Sequence, residues 1–209
     1  MKKLIFDFDG TLVDSMPTYV SVMLRILDEN NVKYGDDIVK IITPLGFIDT
    51  AKYFIKLGVP LSFEEIVTRM REYALEAYTN TIEAKPHVVE VVRALKERGD
   101  DLHVLTASPH DTLDVCLKRI GIFDIFTNVW SCNDFGTNKA DPNIYRMAAE
   151  KIGKDVTEII FLDDNYNADL TAKSAGMIVY GVYDASSEEY TEEIKAVTDK
   201  YITDFRELL

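Results

Sequence analysis

The sequence predicts an α/β fold, in which a parallel sheet forms the core and a small helical domain is inserted into it. Three observations favour this prediction: short apolar segments typical of buried strands, helical patterns between them, and one long interval of helical character. The 209 residues are enough for a core domain with such an insertion. Hydrophobic residues make up 47% of the chain, which is ample material for a folded core.

The five segments predicted as strands are short, and four of them are apolar throughout or nearly so. Runs of this kind are typical of strands that are buried on both faces of a parallel sheet. The predicted strands span residues 4–8, 102–106, 125–130, 159–162 and 178–182.

Helical patterns fill the intervals between the later strands. Pro86 is predicted to open one helix, and Gly99 to stop it. A second helix is predicted between the second and third strands. Asp141 suits the N-cap of a third helix, because Pro142 then takes the first helical position. The fourth helix is predicted over 168–175, and alternation of this kind indicates a parallel sheet.

The interval from residue 17 to residue 82 breaks this alternation, because its 66 residues contain no good buried strand. An irregular loop of that length is uncommon in a compact domain. We therefore predict a helical domain over 17–82, inserted into a core formed by 1–16 and 83–209. The C-terminal stretch 186–209 is predicted to be helical and packed on the sheet. The helices predicted in the insertion span residues 17–30, 36–42, 47–57 and 62–81.

The charge balance limits the classes of partner. The formal net charge is −13, from 36 acidic and 23 basic residues. A broad surface for nucleic acid or for an anionic membrane needs clustered Lys and Arg, so we expect neither partner. A small anionic substrate in a locally positive pocket is compatible with this charge.

The N-terminal sequence and the cysteines predict a cytoplasmic location. The apolar run 4–6 is interrupted by Asp7 and Asp9, which makes it too short for a secretory signal. No stretch approaches the roughly 20 apolar residues of a membrane span. Cys116 and Cys132 form no CxxC pair and are expected to be buried thiols in a reducing compartment.

The strongest functional signal lies directly after the first predicted strand, at residues 7–15, which read DFDGTLVDS. Asp7 and Asp9 lie at the carboxyl end of that strand, where open α/β sheets bind their ligands. Gly10 and Thr11 then turn the backbone sharply. Converging carboxylates are costly unless they bind a cation or act as an acid and a base. The segment therefore predicts a catalytic or metal site.

This segment resembles the signature of the haloacid dehalogenase-like hydrolases, Asp-x-Asp-Gly-Thr-Leu-x-Asp-Ser, and matches it at all seven fixed positions. Three further family motifs follow in the family's order. Thr106 ends a hydrophobic strand, Lys139 precedes a helix, and Asp163 and Asp164 follow another strand. The resemblance covers essentially the whole chain.

Two positions depart from the family pattern, and one further acidic residue accompanies the last motif. Ala140 stands where the family often has Pro, and Asp163 where many relatives have Gly or Glu. Asp169 lies five residues beyond Asp164. For Asp163 and Asp169 the resemblance implies a place beside the metal ligands, and for Asp163 it leaves open a contact to the metal through water.

The resemblance also implies a fold and an activity. The fold is a Rossmann-like parallel-sheet core with an inserted small α-helical cap domain. The activity is that of an Mg²⁺-dependent phosphatase acting on a small phosphorylated metabolite. Asp7 would be the nucleophile and form an aspartyl-phosphate. Asp9 would be the general acid and base, and Lys139 would bridge the nucleophile and the phosphate.

Ligands for the metal and for the phosphate are implied in the same way. Mg²⁺ would bind the carboxylates of Asp7 and Asp164 and the backbone carbonyl of Asp9, an all-oxygen set that suits this ion. Besides Lys139, the resemblance assigns phosphate contacts to three residues at the strand ends. These are Gly10, Thr106 and Ala107.

Three alternative activities can be weighed from the sequence. Dehalogenases and phosphonate-cleaving relatives lack an acid at the position of Asp9, so its presence favours phosphoryl transfer. A sugar-phosphate mutase similar to β-phosphoglucomutase shares all four motifs but depends on a His in the first cap helix, and residues 17–82 contain no His. This favours the phosphatase over the mutase.

An inactive binding or regulatory protein on the same scaffold is an alternative of another class. It is disfavoured because Asp7, Asp9, Lys139 and Asp164 are all present.

Substrate identity would depend mainly on the cap, where 43–47, Lys52, Arg69 and Arg71 are candidates. A monomer is expected.

Overall fold

The structure is a computed structural model that describes residues 1–209, apart from the side chain of Pro44. The chain divides into two compact units. The larger unit contains Met1–Asp14 and Glu83–Leu209, and the smaller unit contains Ser15–Ile82.

The sheet and the helices alternate through the larger unit, whereas the smaller unit consists of helices and their connections. The strands are β1 (Lys3–Phe6), β2 (Asp101–Thr106), β3 (Asn128–Ser131), β4 (Ile159–Asp163), β5 (Ile178–Val182) and β6 (Lys200–Ile202). The α-helices are α1 (Met16–Glu29), α2 (Ile38–Ile42), α3 (Gly46–Lys56), α4 (Phe63–Asn80), α5 (Val88–Glu97), α6 (His110–Arg119), α7 (Pro142–Ile152), α8 (Tyr166–Ala175) and α9 (Thr191–Val197). Short 3₁₀ turns span Thr43–Leu45, Phe123–Ile125, Cys132–Phe135, Val156–Glu158, Ala185–Tyr190 and Phe205–Leu208.

All neighbouring strands of the sheet are parallel, and their order is β3-β2-β1-β4-β5-β6. The chain builds outward from β1 on one side and then returns to build outward on the other side. In open α/β sheets, the ligand crevice lies at the carboxyl ends of the strands beside this reversal. The predicted α/β fold with a Rossmann-like parallel sheet and a helical insertion is confirmed.

The centre of the sheet is buried on both faces, as its apolar strands predict. Leu4, Ile5 and Phe6 of β1 are at most 2% exposed. On one face, Tyr145 of α7 packs edge-on against Phe161 of β4, with 5.1 Å between the ring centroids. The strands β1 and β4, whose ends carry site residues, therefore lie in a buried and packed core.

The helices of the smaller unit are amphipathic. Helix α1 buries Val22, Met23, Ile26 and Leu27, and it packs against α4. Ser62 begins α4 with a capping box: its hydroxyl accepts from the Glu65 N–H at 3.2 Å, and its own N–H donates to the Glu65 carboxylate at 2.8 Å. In the part of the chain that the structure describes, no helix combines the length and the apolar character needed to cross a membrane.

Two strand predictions are corrected by the structure. The third strand begins at Asn128 and not at residue 125, because Phe123–Ile125 forms a 3₁₀ turn. The C-terminal stretch is not only helical, because Lys200–Ile202 adds a sixth strand that pairs with β5. Three residues at the edge of a sheet are too few to produce a recognisable pattern.

The prediction that Pro86 opens a helix is wrong, because α5 begins at Val88. His87 lies between them with φ +66°, in the left-handed region, which cannot form part of a right-handed helix. The predicted cap of α7 is confirmed: the Asp141 side chain accepts from the Asn143 N–H at 2.9 Å, with Pro142 at the first helical position.

Candidate active site

The carboxyl ends of three adjacent strands carry most of the predicted site residues. Asp7 follows β1 directly, and its N–H donates to the Leu162 carbonyl of β4 at 2.8 Å. Asp163 is the last residue of β4, and Thr106 is the last residue of β2. Because β1 lies between β2 and β4, the sheet brings these side chains to one edge.

Three carboxylates meet there in a buried cluster formed by Asp7, Asp163 and Asp164. One oxygen from each lies within 4.8 Å of the others, and none of the three residues is more than 7% exposed. Burial raises the pKa of Asp7 to about 7, opposed by Lys139 and reinforced by Asp163. Burial and the negative charges of Asp163 and Asp7 raise the pKa of Asp164 well above its usual range. A divalent cation would relieve this repulsion, so the cluster fits an oxygen-liganded metal such as Mg²⁺.

Lys139 supplies a positive charge inside this cluster. Its Nζ donates to the Asp7 carboxylate and, at 2.8 Å, to Asp163 Oδ2. Burial alone would lower the pKa of Lys139, but the charges of Asp163 and Asp7 raise it well above its usual value. The Tyr145 hydroxyl donates to the Lys139 carbonyl at 3.1 Å and so fixes the backbone that carries this ammonium group.

The turn at Gly10 lies directly against Asp164. Gly10 has φ +75°, and a Cβ atom placed on it would lie 2.5 Å from Asp164 Oδ2. The next residue, Thr11, is fully buried, and its hydroxyl donates to Asp164 Oδ1 at 3.0 Å. The Gly10 N–H donates to the Val13 carbonyl at 3.0 Å, so a phosphate at Gly10 would share this donor.

Asp9 is half-buried, and its carboxylate accepts a hydrogen bond from the Ser108 hydroxyl. Its carboxylate is not among the three that form the buried cluster. The metal contact predicted for Asp9 uses its backbone carbonyl and stays a prediction. Thr106 Oγ1 accepts from the Ser108 N–H at 3.1 Å, and Ala107 between them is exposed.

Asp169 lies on α8 and is completely buried. Among the described residues, neither of its carboxylate oxygens has a hydrogen-bond partner. Burial raises its pKa to about 10, with Asp163 and Asp164 adding to the effect. This places Asp169 in the field of the cluster, and its unpartnered oxygens are a further feature that a bound cation or its water would satisfy.

Sequence reasoning assigned no role to three groups that donate to the carboxylates of Asp164, Asp9 and Asp163. They are the Thr11 hydroxyl, the Ser108 hydroxyl and the Asn165 N–H, which donates to Asp163 Oδ1 at 2.8 Å. Thr11 belongs to the signature segment and Ser108 lies two residues after Thr106. Their positions in or beside the motifs could have indicated that they contact the site. The particular partner of each depends on the loop conformation.

With this geometry established, comparison with known proteins identifies the class. Residues 1–176 match the family model of the haloacid dehalogenase-like hydrolases. The chain therefore belongs to the haloacid dehalogenase-like hydrolase family, and it is a hydrolase.

Two relatives and one solved structure show what the chain is similar to. The pyrophosphatase PpaX of Bacillus velezensis is 29% identical over 180 residues, which cover 86% of this chain and 82% of that protein. A phosphorylated carbohydrates phosphatase of Thermotoga maritima is 24% identical over 184 residues, or 87% and 85% of the two chains. A solved structure from Thermotoga maritima, described as a candidate beta-phosphoglucomutase, shares the fold with a TM-score of 0.85 at 22% identity, over 100% of this chain and 97% of that one.

Proposed function

We propose that this protein is an Mg²⁺-dependent phosphatase that hydrolyses a small phosphorylated metabolite through an aspartyl-phosphate on Asp7. The observation that carries the proposal is the position of Asp7, which shares a buried carboxylate cluster and also accepts from Lys139. The named phosphatases among the relatives support this choice of hydrolase chemistry.

The metal would be held by the carboxylates of Asp7 and Asp164 and by the Asp9 carbonyl, with Asp163 and Asp169 beside them. When bound, Mg²⁺ would offset the negative charge of the phosphate and of the carboxylates. The chain's own contribution is to hold these oxygens in place: Thr11 fixes Asp164, and Lys139 and the Asn165 N–H fix Asp163.

In the first half of the reaction, an Asp7 carboxylate oxygen attacks phosphorus and the ester P–O bond breaks. Asp9, protonated at this stage, gives its proton to the leaving oxygen. Lys139, which donates to Asp7 in the structure, would remain beside the transferred phosphoryl group and stabilise its charge. Thr106 and Ala107 would bind other phosphate oxygens.

In the second half, Asp9 takes a proton from a water molecule that attacks the same phosphorus. The Asp7–phosphorus bond breaks and inorganic phosphate leaves. Asp9 is thereby protonated again, which returns the site to its starting state. Ser108 donates to the Asp9 carboxylate and would orient it for both transfers.

Residues 17–82 would form a cap that admits substrate and excludes bulk water, within a cytoplasmic and monomeric enzyme. The smaller unit begins at residue 15, the last residue of the signature segment, and the larger unit resumes at residue 83. The side chains that select the substrate would come mainly from this cap.

The test begins with p-nitrophenyl phosphate, assayed with Mg²⁺ and with a chelator, for the wild type and for D7N and D9N. The proposal expects metal-dependent turnover in the wild type and no detectable turnover in D7N. Turnover that persists in D7N, or that does not require a divalent metal, would contradict it. A panel of phosphorylated metabolites then identifies the substrate class.

Two rivals are separated by the same material. Incubation with β-glucose 1-phosphate and its bisphosphate activator would reveal a mutase if the 6-phosphate forms faster than inorganic phosphate. The absence of His from residues 17–82 favours the opposite result. A wild type without turnover on any member of the panel would favour an inactive binding or regulatory protein.

A further inference from the structure

Lys85 lies outside the four family motifs, but its side chain reaches the catalytic turn. Its Nζ donates to the Gly10 carbonyl at 2.6 Å, to the Tyr183 carbonyl at 2.5 Å and to Asp184 Oδ2 at 3.0 Å. The side chain is only 14% exposed. One ammonium group therefore uses all three of its donors on three separate acceptors.

The position of the Gly10 carbonyl affects two neighbouring site residues, because Gly10 lies between them in the chain. Gly10 follows Asp9 and precedes Thr11, whose hydroxyl donates to Asp164. The Gly10 N–H donates to the Val13 carbonyl, and Lys85 donates to the Gly10 carbonyl, so both backbone polar groups of Gly10 are held. A charge-assisted hydrogen bond to a carbonyl is stronger than a neutral one, which makes Lys85 the stronger of these two restraints.

Lys85 is itself fixed by the segment that carries it. Its N–H donates to the Leu12 carbonyl at 3.0 Å, and the Asp14 N–H donates to Glu83 at 3.0 Å. Val13 and Ala84 form an antiparallel bridge between these hydrogen bonds. The segment 83–85 is thus paired with the end of the signature segment, and this pairing directs the Lys85 side chain back towards Gly10.

A substitution of Asp184 can separate two interactions of Lys85, its ion pair with Asp184 and its hydrogen bond to the Gly10 carbonyl. Its carboxylate is 7% exposed, pairs with Lys85, and also accepts from the Ser186 N–H at 2.9 Å. Removing the charge of Asp184 weakens the ion pair but leaves the Lys85 ammonium able to donate to Gly10. Removing the ammonium loses the ion pair and the hydrogen bonds to the Gly10 and Tyr183 carbonyls.

We propose that Lys85 is a positioning residue for catalysis, which holds the Asp9-Gly10-Thr11 turn in its working conformation through the Gly10 carbonyl. This role rests on the proposed function, in which Asp9 is the acid and base and Thr11 holds the metal ligand Asp164. The ion pair with Asp184 anchors the ammonium group but is not the source of its effect on the turn.

The test compares K85M with D184N. Met keeps a side chain of similar length without donors, and Lys85 lines an open cavity of about 350 Å³, so the replacement does not have to fit a closed space. Hydrogen–deuterium exchange of the peptide that covers residues 7–13 reports on the turn independently of activity. kcat and KM for p-nitrophenyl phosphate report on catalysis, and thermal unfolding reports on stability. K85Q replaces K85M if K85M is too unstable to assay; because its neutral amide can still donate to Gly10, it should show faster exchange and lower kcat than the wild type, but smaller changes than those expected for K85M.

The proposal expects faster exchange over residues 7–13 in K85M, with kcat lower by about tenfold or more and KM within about threefold. D184N should stay within about threefold of wild-type kcat and keep wild-type exchange in this peptide. Equal effects of K85M and D184N, or wild-type exchange in K85M, would overturn the proposal. If the wild type has no turnover, the proposed function fails, and the exchange comparison still decides whether Lys85 holds the turn.

Discussion

Gly10 lies so close to Asp164 that a Cβ atom on Gly10 would come within 2.5 Å of the Asp164 Oδ2 atom. The carboxylate occupies the space that every other residue type would need for its side chain. Two features therefore require Gly at position 10: this close contact, and a φ of +75° that other residues rarely adopt.

The substitution G10A should abolish most of the activity, because Asp164 must move away from the cluster to admit the methyl group. Steady-state kinetics with p-nitrophenyl phosphate should show a loss of about 100-fold or more. G153A is the matched control, since Gly153 has φ +73° and no neighbouring atom within 4 Å of its Cβ position. G153A should lose about 1–2 kcal/mol of stability from backbone strain and keep its activity. Equal activity in the two variants would contradict the steric argument.

Mg²⁺ should stabilise the folded protein, because three buried carboxylates repel one another without it. At 100 times the dissociation constant, a ligand specific for the native state adds about 2.7 kcal/mol. Urea unfolding with and without Mg²⁺ measures this difference. D164N should lose most of the Mg²⁺-dependent gain, whereas D49N, at an exposed carboxylate of the smaller unit, should keep it. An equal gain in D164N would exclude Asp164 as a ligand.

The Ser108 hydroxyl should contribute to kcat through its hydrogen bond to Asp9. We expect S108A to lower kcat about tenfold with little change in KM, because the acid and base group loses its orientation. S108T keeps the hydroxyl and should recover most of the rate. S174A removes a surface hydroxyl that donates to a helix carbonyl and should have no effect. An S108A enzyme with wild-type kcat would show that this contact is not used in catalysis.

His110 should make stability depend on pH in the range around neutrality. Its ring nitrogens lie 2.8 Å from Asp114 and 2.9 Å from Asp134, and these hydrogen bonds raise the pKa of His110 above its ordinary value of 6.5. A raised folded-state pKa means that the stabilisation is complete below pH 6.5 and is lost as the pH rises through the folded value. Since the side chain is 43% exposed, solvent screening limits the effect to less than about 1 kcal/mol.

Urea unfolding of H110Q and the wild type at pH 6 and pH 9 tests this expectation. The difference in unfolding free energy should be larger at pH 6. D114N should lower stability in the wild-type background at pH 6 but have little effect in the H110Q background, because its partner is already absent. A larger difference at pH 9 would contradict the sign derived for His110.

The order of motifs along the chain was enough to predict which strand ends would meet. Buried apolar runs identified β1, β2, β4 and β5, and their parallel arrangement brings Asp7 and Asp163 to the same edge. The edge strand β6 was not predicted, because a segment of three residues with the sequence KYI is too short to show a strand pattern. Helix α5 starts late because His87 adopts a left-handed backbone, which no residue pattern indicated.

The supporting contacts of the site could not be predicted in the same way. Lys85 becomes relevant only when residues 10, 183 and 184 converge on one ammonium group, and this convergence depends on the tertiary fold. The contact of Ser108 with Asp9 depends on the conformation of the loop after β2. The motifs of the sequence thus indicated the groups proposed to react, while the residues proposed to orient them could be identified only from the structure.

Detection of a phosphorylated Asp7 is the most direct test of the central claim. D9N should accumulate this intermediate with p-nitrophenyl phosphate, because a good leaving group needs little acid assistance whereas hydrolysis of the aspartyl-phosphate still needs a base. Acid-quenched D9N, digested and analysed by mass spectrometry, should carry one phosphoryl group on the peptide that contains Asp7, and D7N should carry none. Release of phosphate by D9N without any phosphorylated Asp7, at every time sampled, would contradict nucleophilic catalysis by this residue.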